Sequence, residues 1–248
     1  MTTIYILWLR QIKKYFRSKS RIIGSLGQPL LFLVAFGFGF GSIYSRAGEG
    51  NYMQFLAPGI MLMGVLFTAI FSGIDMIWDR QFGFLKETMV APVPRWQILL
   101  GKVFGGATIA TFQGIIIFGL TLLVGFRPTN WMMLPAALLL IFVVALLFTS
   151  LGTVIASNLE DMQGFQLIMN FLVMPINFLS GAFFPINGLP KGIAFITKIN
   201  PLTYGMDGLR ELLTGLGSFS IWTDLTVLVT VTAILLFLGT YFFEKIQA

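Results

Sequence analysis

The sequence predicts an all-α integral membrane protein with about six transmembrane helices, and three observations carry that prediction. The 248 residues are 56% hydrophobic and 10% charged, with a mean hydropathy of +0.87, whereas a soluble domain carries about 25% charged residues. The apolar residues fall into separate blocks of roughly 20, the length that crosses about 30 Å of hydrocarbon. Six of the sixteen Lys and Arg lie between Arg10 and Arg21, beside the first block. Despite a net charge of +6, that clustering is a membrane-orientation pattern and not a nucleic-acid patch.

Residues 1–21 form an amphipathic helix, with Tyr5, Trp8, Leu9, Ile12 and Phe16 on one face and Arg10, Lys13, Lys14 and Arg17 on the other. Such a helix lies in the interface, where anionic headgroups contribute about 1 kcal/mol per basic residue. A plain basic flank of the first span is the alternative, and either reading leaves the segment on the membrane surface. No short apolar stretch with a small-residue cleavage site follows these charges, so no removable signal peptide is expected.

Spans are expected at 22–44, 55–77, 103–126, 131–157, 162–184 and 222–243. An even number puts both termini on one side. That side then holds Arg10, Lys13, Lys14, Arg17, Lys19, Arg21, Arg80, Lys86, Arg95, Lys102 and Lys245; the other holds Arg46, Arg127, Lys191, Lys198 and Arg210. The excess marks the first side as cytoplasmic.

Two connecting segments carry more than a linker needs. In 79–100, Arg80, Lys86, Glu87 and Arg95 alternate with Phe82, Leu85 and Met89 at helical spacing, which predicts a short helix along the cytoplasmic face. Ala91-Pro92-Val93-Pro94 then makes a stiff elbow; an ordinary interfacial hairpin has the same composition. In 185–221, on the outer side, Asn200-Pro201 reads as a cap with proline at the first helical position. Leu202, Met206, Leu209 and Leu213 follow at helical spacing, and Gly215 ends the run. The segment is too apolar for a solvated loop and is expected to dip into the outer leaflet or cap the bundle. Asp207 is expected to pair with Arg210 three residues on.

Chemistry has few places to reside. The sequence has no Cys and no His, which removes thiol and imidazole catalysis and the usual zinc sites. Asp75, four residues before Asp79, is the clearest intramembrane acid; it reads either as a helix-end residue reaching headgroup water or a neighbouring Arg, or as a proton or substrate site. Glu160 and Asp161 occupy the turn between the fourth and fifth spans. Gln163, Gln166, Asn170 and Asn177 put four amides on one face of the fifth span, which must look inward, as interhelical glue or as the lining of a path. No G-x-x-x-x-G-K-[ST] loop occurs; Gly101-Lys102 is followed by Val103. If this chain works with ATP, another polypeptide must bind it.

Taken together, the run MNFLVMPINFLSGAFFP from Met169 to Pro185, Leu189-Pro190, and Asn200-Pro201-Leu202-Thr203-Tyr204 with Asp207 and Arg210 resemble the C-terminal half of type-2 ABC exporter permeases. The drug-resistance and nodulation-factor branches are the most similar. Lys86-Glu87-Thr88, Ala91-Pro92-Val93-Pro94-Arg95 and Leu99-Leu100-Gly101-Lys102 are similar to the coupling segment after the second span of that family. The resemblance covers nearly the whole chain as a single transmembrane domain, 1–248. It implies an outer re-entrant helical hairpin and a complex of two permeases, the second a copy or a close paralogue, with two cytoplasmic ATP-binding subunits that hold ATP and Mg. This chain itself would hold no cofactor and no metal.

On that reading Arg80, Lys86, Glu87, Pro92, Pro94 and Arg95 couple to the ATPase, and Glu160 and Asp161 make a second, smaller contact. Residues 158–162 carry no Lys or Arg, unlike the basic-rich turn expected there. Gln163, Gln166, Asn170 and Asn177 line the path or the permease interface, and Pro185, Asn200, Pro201, Tyr204, Asp207 and Arg210 build the outer segment. The expected function is export of a hydrophobic or amphipathic compound such as a drug, lipid or lipid-linked saccharide. The rivals are an intramembrane lipid-linked transferase using Asp75 or Asp207, and a membrane scaffold without transport.

Overall fold

The computed structural model describes residues 2–46, 52–184 and 190–244, apart from the side chains of 40–46 and of Lys86. Among these residues all regular structure is helical. The helices are α1 (Thr2–Arg17), α2 (Lys19–Arg46), α3 (Tyr52–Phe71), α4 (Ile74–Gln81), α5 (Phe84–Val90), α6 (Arg95–Leu123), α7 (Leu134–Ser157), α8 (Met162–Phe178), α9 (Lys191–Ile199), α10 (Pro201–Thr214) and α11 (Ile221–Glu244), with a 3-10 turn at Trp131–Met133. Five stretches are long and apolar enough to cross a membrane: Lys19–Gly39, Tyr52–Gln81, Arg95–Leu123, Trp131–Ser157 and Ile221–Glu244. The protein is an all-α integral membrane protein.

The expected span at 162–184 is α-helical only to Phe178. The Leu179 N–H returns to the Pro175 carbonyl at 2.9 Å, the Ser180 hydroxyl donates to the Asn177 carbonyl at 2.6 Å, and Gly181 takes a φ of 79° that turns the chain away. The 17 residues of α8 extend about 25 Å. Its ends nevertheless lie at opposite ends of the bundle. Just before α8, the Glu160 carbonyl accepts from Gln81 at 3.2 Å; near its other end, the Ile176 carbonyl accepts from Asn200 Nδ2 at 2.6 Å.

The expected span at 55–77 is split. α3, the central helix, is buried along most of its length, and the chain breaks at Ser72-Gly73 before α4. The cause is a backbone-to-backbone approach to α7: a Cβ on Gly73 would fall on the Gly152 carbonyl, and one on Gly152 would fall on the Ile70 carbonyl. Small residues permit this where lipid gives helices no other reason to associate closely. α6 starts eight residues earlier than the expected third span, directly after Pro94.

α1 packs chiefly on α6. The stripe it buries is Leu7, Gln11 and Tyr15, seated over Gly101 and Gly105, where a Cβ would meet Leu7 Cβ and Gln11 Cβ respectively. Tyr15 donates to Gln113 Oε1 at 2.8 Å and Trp8 Nε1 to Thr108 Oγ1 at 3.0 Å. Burial pushes the Tyr15 phenol above its ordinary pKa, so it remains a neutral donor. Tyr5 and Phe16 are exposed, as expected of a face turned to lipid. The helix is therefore anchored to α6 along its buried stripe.

Arg95, at the start of α6, donates to the Glu244 carbonyl at 2.6 Å, which brings the end of α11 to the end of the bundle that carries α1. At the far end, the Thr129 N–H donates to the Leu213 carbonyl at 2.8 Å and holds α10 against the α6–α7 connection.

Candidate functional site

A network of six charged residues fastens α1 to the core. Asp79, 4% exposed, accepts two bonds from Arg10, each 3.1 Å, and one from Lys102 at 2.5 Å. Asp75, one turn earlier on α4, accepts from Lys14 at 2.8 Å and from Arg21 at 3.5 Å. The guanidinium of Arg10 also lies 3.5 Å over the Phe84 ring, a cation–π contact that reaches α5. Asp75 thus faces two basic partners, Lys14 and Arg21, where the sequence offered headgroup water or a neighbouring Arg. The two acids were picked out from the sequence, but the pairing of Asp79 with Lys102 and Arg10 was missed. The signal was present: two acids and a lysine at one depth of an apolar bundle must neutralise each other.

The predicted coupling residues divide into two groups. Arg80 is not free for a partner protein: its guanidinium donates to the Leu159 carbonyl at 3.2 Å and the Ser157 carbonyl at 3.3 Å, satisfying the end of α7. Arg95 is tied to α11 as described. Asp161 caps α8, accepting from the Gly164 N–H at 2.5 Å; Glu160, like Asp161, is exposed and lends its carbonyl to Gln81. By contrast Glu87, Pro92 and Pro94 are exposed. The Lys86 side chain lies outside the described residues.

Around Glu87 an apolar surface stands out at the α1 end. Gly83, at a φ of 78°, turns the chain between α4 and α5. Phe82, stacked on Trp78 with ring centroids 5.1 Å apart, is 73% exposed, and Val90 is 86% exposed. Leu85 points the opposite way and is buried, so α5 is fixed to the bundle by one face and presents the other. Phe82 was read as part of the helix's apolar face; the structure turns it outward.

The amide face of α8 is placed otherwise than expected. Gln163, Gln166 and Asn170 are exposed, beside Phe171 and Leu167, while Asn177 alone is buried. The reason lies in spacing. The buried residues Phe165, Met169, Val173 and Asn177 recur every four positions, and each step drifts about 40° round a helix of 3.6 residues per turn. α8 therefore crosses the bundle obliquely, and its buried stripe meets the amide stripe only at Asn177.

At the far end, Asn200 caps α10 by accepting from the Leu202 N–H at 3.0 Å, with Pro201 at the first position and Gly215, φ 74°, ending the helix. Tyr204 donates to the Lys198 carbonyl at 2.8 Å. The expected Asp207–Arg210 pair is replaced by two separate roles. Asp207, fully buried, accepts from the Ser218 and Phe219 N–H groups at 2.9 and 2.7 Å. Arg210 points across to α3, donating to the Gly181 carbonyl at 3.0 Å and lying 3.9 Å over the Phe55 ring. Three residues on a helix turn through about 300°, and here the two side chains are drawn to opposite neighbours. Pro185 lies outside the described residues.

The family model described as ABC-2 type transporter matches residues 2–214. The inner membrane transport permease YadH of Escherichia coli K12 is 28% identical over 229 residues, covering 90% of this chain and 87% of that one. Nodulation protein J of Rhizobium leguminosarum bv. trifolii is 29% identical over 213 residues, covering 85% and 78%. The putative transport permease ycf38 of Cyanophora paradoxa is 28% identical over 212 residues, covering 84% and 73%.

Proposed function

The chain belongs to the ABC-2 type transporter family and is a membrane transport permease, and from that premise we propose that it is the translocating half of an ATP-driven exporter. Two copies, or one copy and a close paralogue, associate with two cytoplasmic ATP-binding subunits. The two permeases together form the path for a hydrophobic or amphipathic compound. The complex sits in the inner or plasma membrane with both termini of this chain cytoplasmic, and α8 serves as the sixth crossing.

One observation supports this division of labour above the others: the exposed surface of Phe82, Glu87, Val90 and Pro92 is built on the segment that the Asp79 pairings fasten to α1 and α6. Arg80 fastens the same segment to the α7–α8 turn. A protein that docks on α5 and moves it acts on α1, α6, α7 and α8 together. The exposed amides of α8 support a path shared with the second permease, because bare amides facing lipid are costly. A transferase centred on Asp75 or Asp207 has no support here, since both carboxylates are occupied.

Co-expression with a candidate ATP-binding subunit, affinity purification and reconstitution test the reading. The expected result is a stable complex whose vesicles move an amphipathic substrate only with ATP. Absence of a bound ATPase together with absence of ATP-dependent transport overturns it.

A further inference from the structure

A cavity of about 410 Å³ opens at the α1 end between α1, α2 and α3, within the size range of small-molecule sites. Its walls are mixed: Tyr15, Arg21, Ser25, Gln28 and Thr68 supply polar groups, and Phe67 and Phe71 supply apolar ones. We infer that this cavity holds an anionic amphipath, its headgroup against Arg21 and its tail along the two phenylalanines. The inference rests on the proposed permease function and narrows its substrate class.

Charge and polarity on the walls select that occupant. Lys14 and Arg21 share the single carboxylate of Asp75, and the Arg21 contact is the longer, 3.5 Å against 2.8 Å. The Arg21 side chain is 37% exposed, so one positive charge is left incompletely matched where α2 enters the membrane. Gln28 lies nine residues beyond Lys19, about 13 Å along the helix. It is exposed and makes no hydrogen bond to another described residue. An amide at that depth needs a polar neighbour that lipid tails do not supply. An acidic headgroup with hydrogen-bonding oxygens meets both needs, whereas a cationic amphipath leaves the Arg21 charge unmatched and adds a like charge beside it. Gly24 borders open space in the cavity wall, since a Cβ there would meet nothing within 4 Å, so a large side chain at this position would occupy the cavity.

The test is equilibrium binding to the purified full-length chain in detergent, read by the anisotropy of fluorescent lysophosphatidic acid and of lysophosphatidylcholine with the same tail. Lysophosphatidic acid is expected to bind about five- to ten-fold tighter, as one additional basic contact implies. Arg21→Gln should erase the difference, Arg21→Lys should keep most of it, and Gly24→Phe should weaken both ligands by filling the space. Lys13→Gln, outside the cavity, should change neither. Equal affinities in the unaltered protein, or a preference that survives Arg21→Gln, overturn the inference. So does complete displacement by inorganic phosphate at millimolar concentration, which would mark a site for a free anion. ATP-driven transport without anion-selective binding removes this site and leaves the permease; selective binding without transport does the reverse.

Discussion

Lys102 and Asp79 meet at 2.5 Å with each side chain 5% exposed, and this pair joins the start of α6 to the end of α4 inside the membrane domain. Arg10 shares the same carboxylate from α1, with a side chain that is 33% exposed. The burdens are unequal. Asp79→Asn strands Lys102 as a buried unpaired cation and is expected to cost about 3–5 kcal/mol. Arg10→Gln leaves the buried pair intact and should cost much less. The double change Asp79→Asn with Lys102→Met should recover a large part of the loss, because both charges are then gone. Thermal unfolding in detergent ranks the variants; Asp79→Asn no worse than Arg10→Gln would show that the buried pair does not hold the two helices.

The α5 surface predicts a separation of stability from coupling. Phe82 and Val90 are so exposed that Phe82→Ala and Val90→Asp should change stability by no more than about 0.5 kcal/mol. With Glu87→Lys, they should raise the ratio of ATP hydrolysed to substrate moved. Arg80→Ala should behave differently, losing roughly 1–3 kcal/mol by leaving two carbonyls at the end of α7 unmatched. Hydrolysis and transport assayed on the same vesicles decide this; normal coupling in all three exposed variants would place the ATPase contact elsewhere.

Much of this architecture was legible in the sequence, because span length, caps and charge clusters are local signals. Asn200, Pro201 and Gly215 bound α10 as their residue types require. What the sequence did not disclose depends on partners distant along the chain. Leu7, Gln11 and Tyr15 do not read as an apolar stripe, and they are buried because Gly101 and Gly105 leave a seat for them on α6. Arg80 carries the same charge as any coupling arginine, and only the position of Ser157 and Leu159 turns it inward. The amides of α8 share one face by spacing, yet the oblique crossing of the helix buries Asn177 and exposes the rest.

That seat makes a prediction of its own. Gly105→Leu places a branched side chain where Gln11 Cβ and Cγ lie, so α1 must lift from α6. The Trp8–Thr108 and Tyr15–Gln113 bonds should be lost with it. Overpacking of this kind costs about 1–3 kcal/mol. Protease accessibility of residues 2–17 should rise by about five- to 150-fold, the factors that about 1 and 3 kcal/mol represent. Unchanged protection would show that α1 is held by its charges alone.

The exposed and buried amides of α8 should respond oppositely. Asn177 Oδ1 is buried with no hydrogen-bond partner among the described residues, so Asn177→Leu, which removes an unmatched polar group, should leave the melting temperature unchanged or raise it. Gln166→Leu with Asn170→Leu touches only exposed positions and should leave protomer stability unaltered. If these amides line the path, substrate preference shifts while the permease pair still assembles. If they are glue between copies, assembly in detergent weakens and the preference of the remaining complex is unchanged.

Labelling from one side of the membrane tests whether α8 is a crossing. Because the sequence contains no cysteine, each introduced thiol reports alone. Six crossings place Thr3, Glu87 and Glu160 on the cytoplasmic side and Ser218 outside; without a crossing by α8, residues 160 and 218 share a side. The Gln81–Glu160 and Asn200–Ile176 bonds tie the two ends of α8 to opposite ends of the bundle, which favours six. In intact cells an impermeant maleimide should therefore modify Ser218→Cys and spare Thr3→Cys, Glu87→Cys and Glu160→Cys, with the pattern reversed in inverted vesicles. Protection of Ser218→Cys together with Glu160→Cys in intact cells, with both modified in inverted vesicles, would remove α8 from the set of crossings.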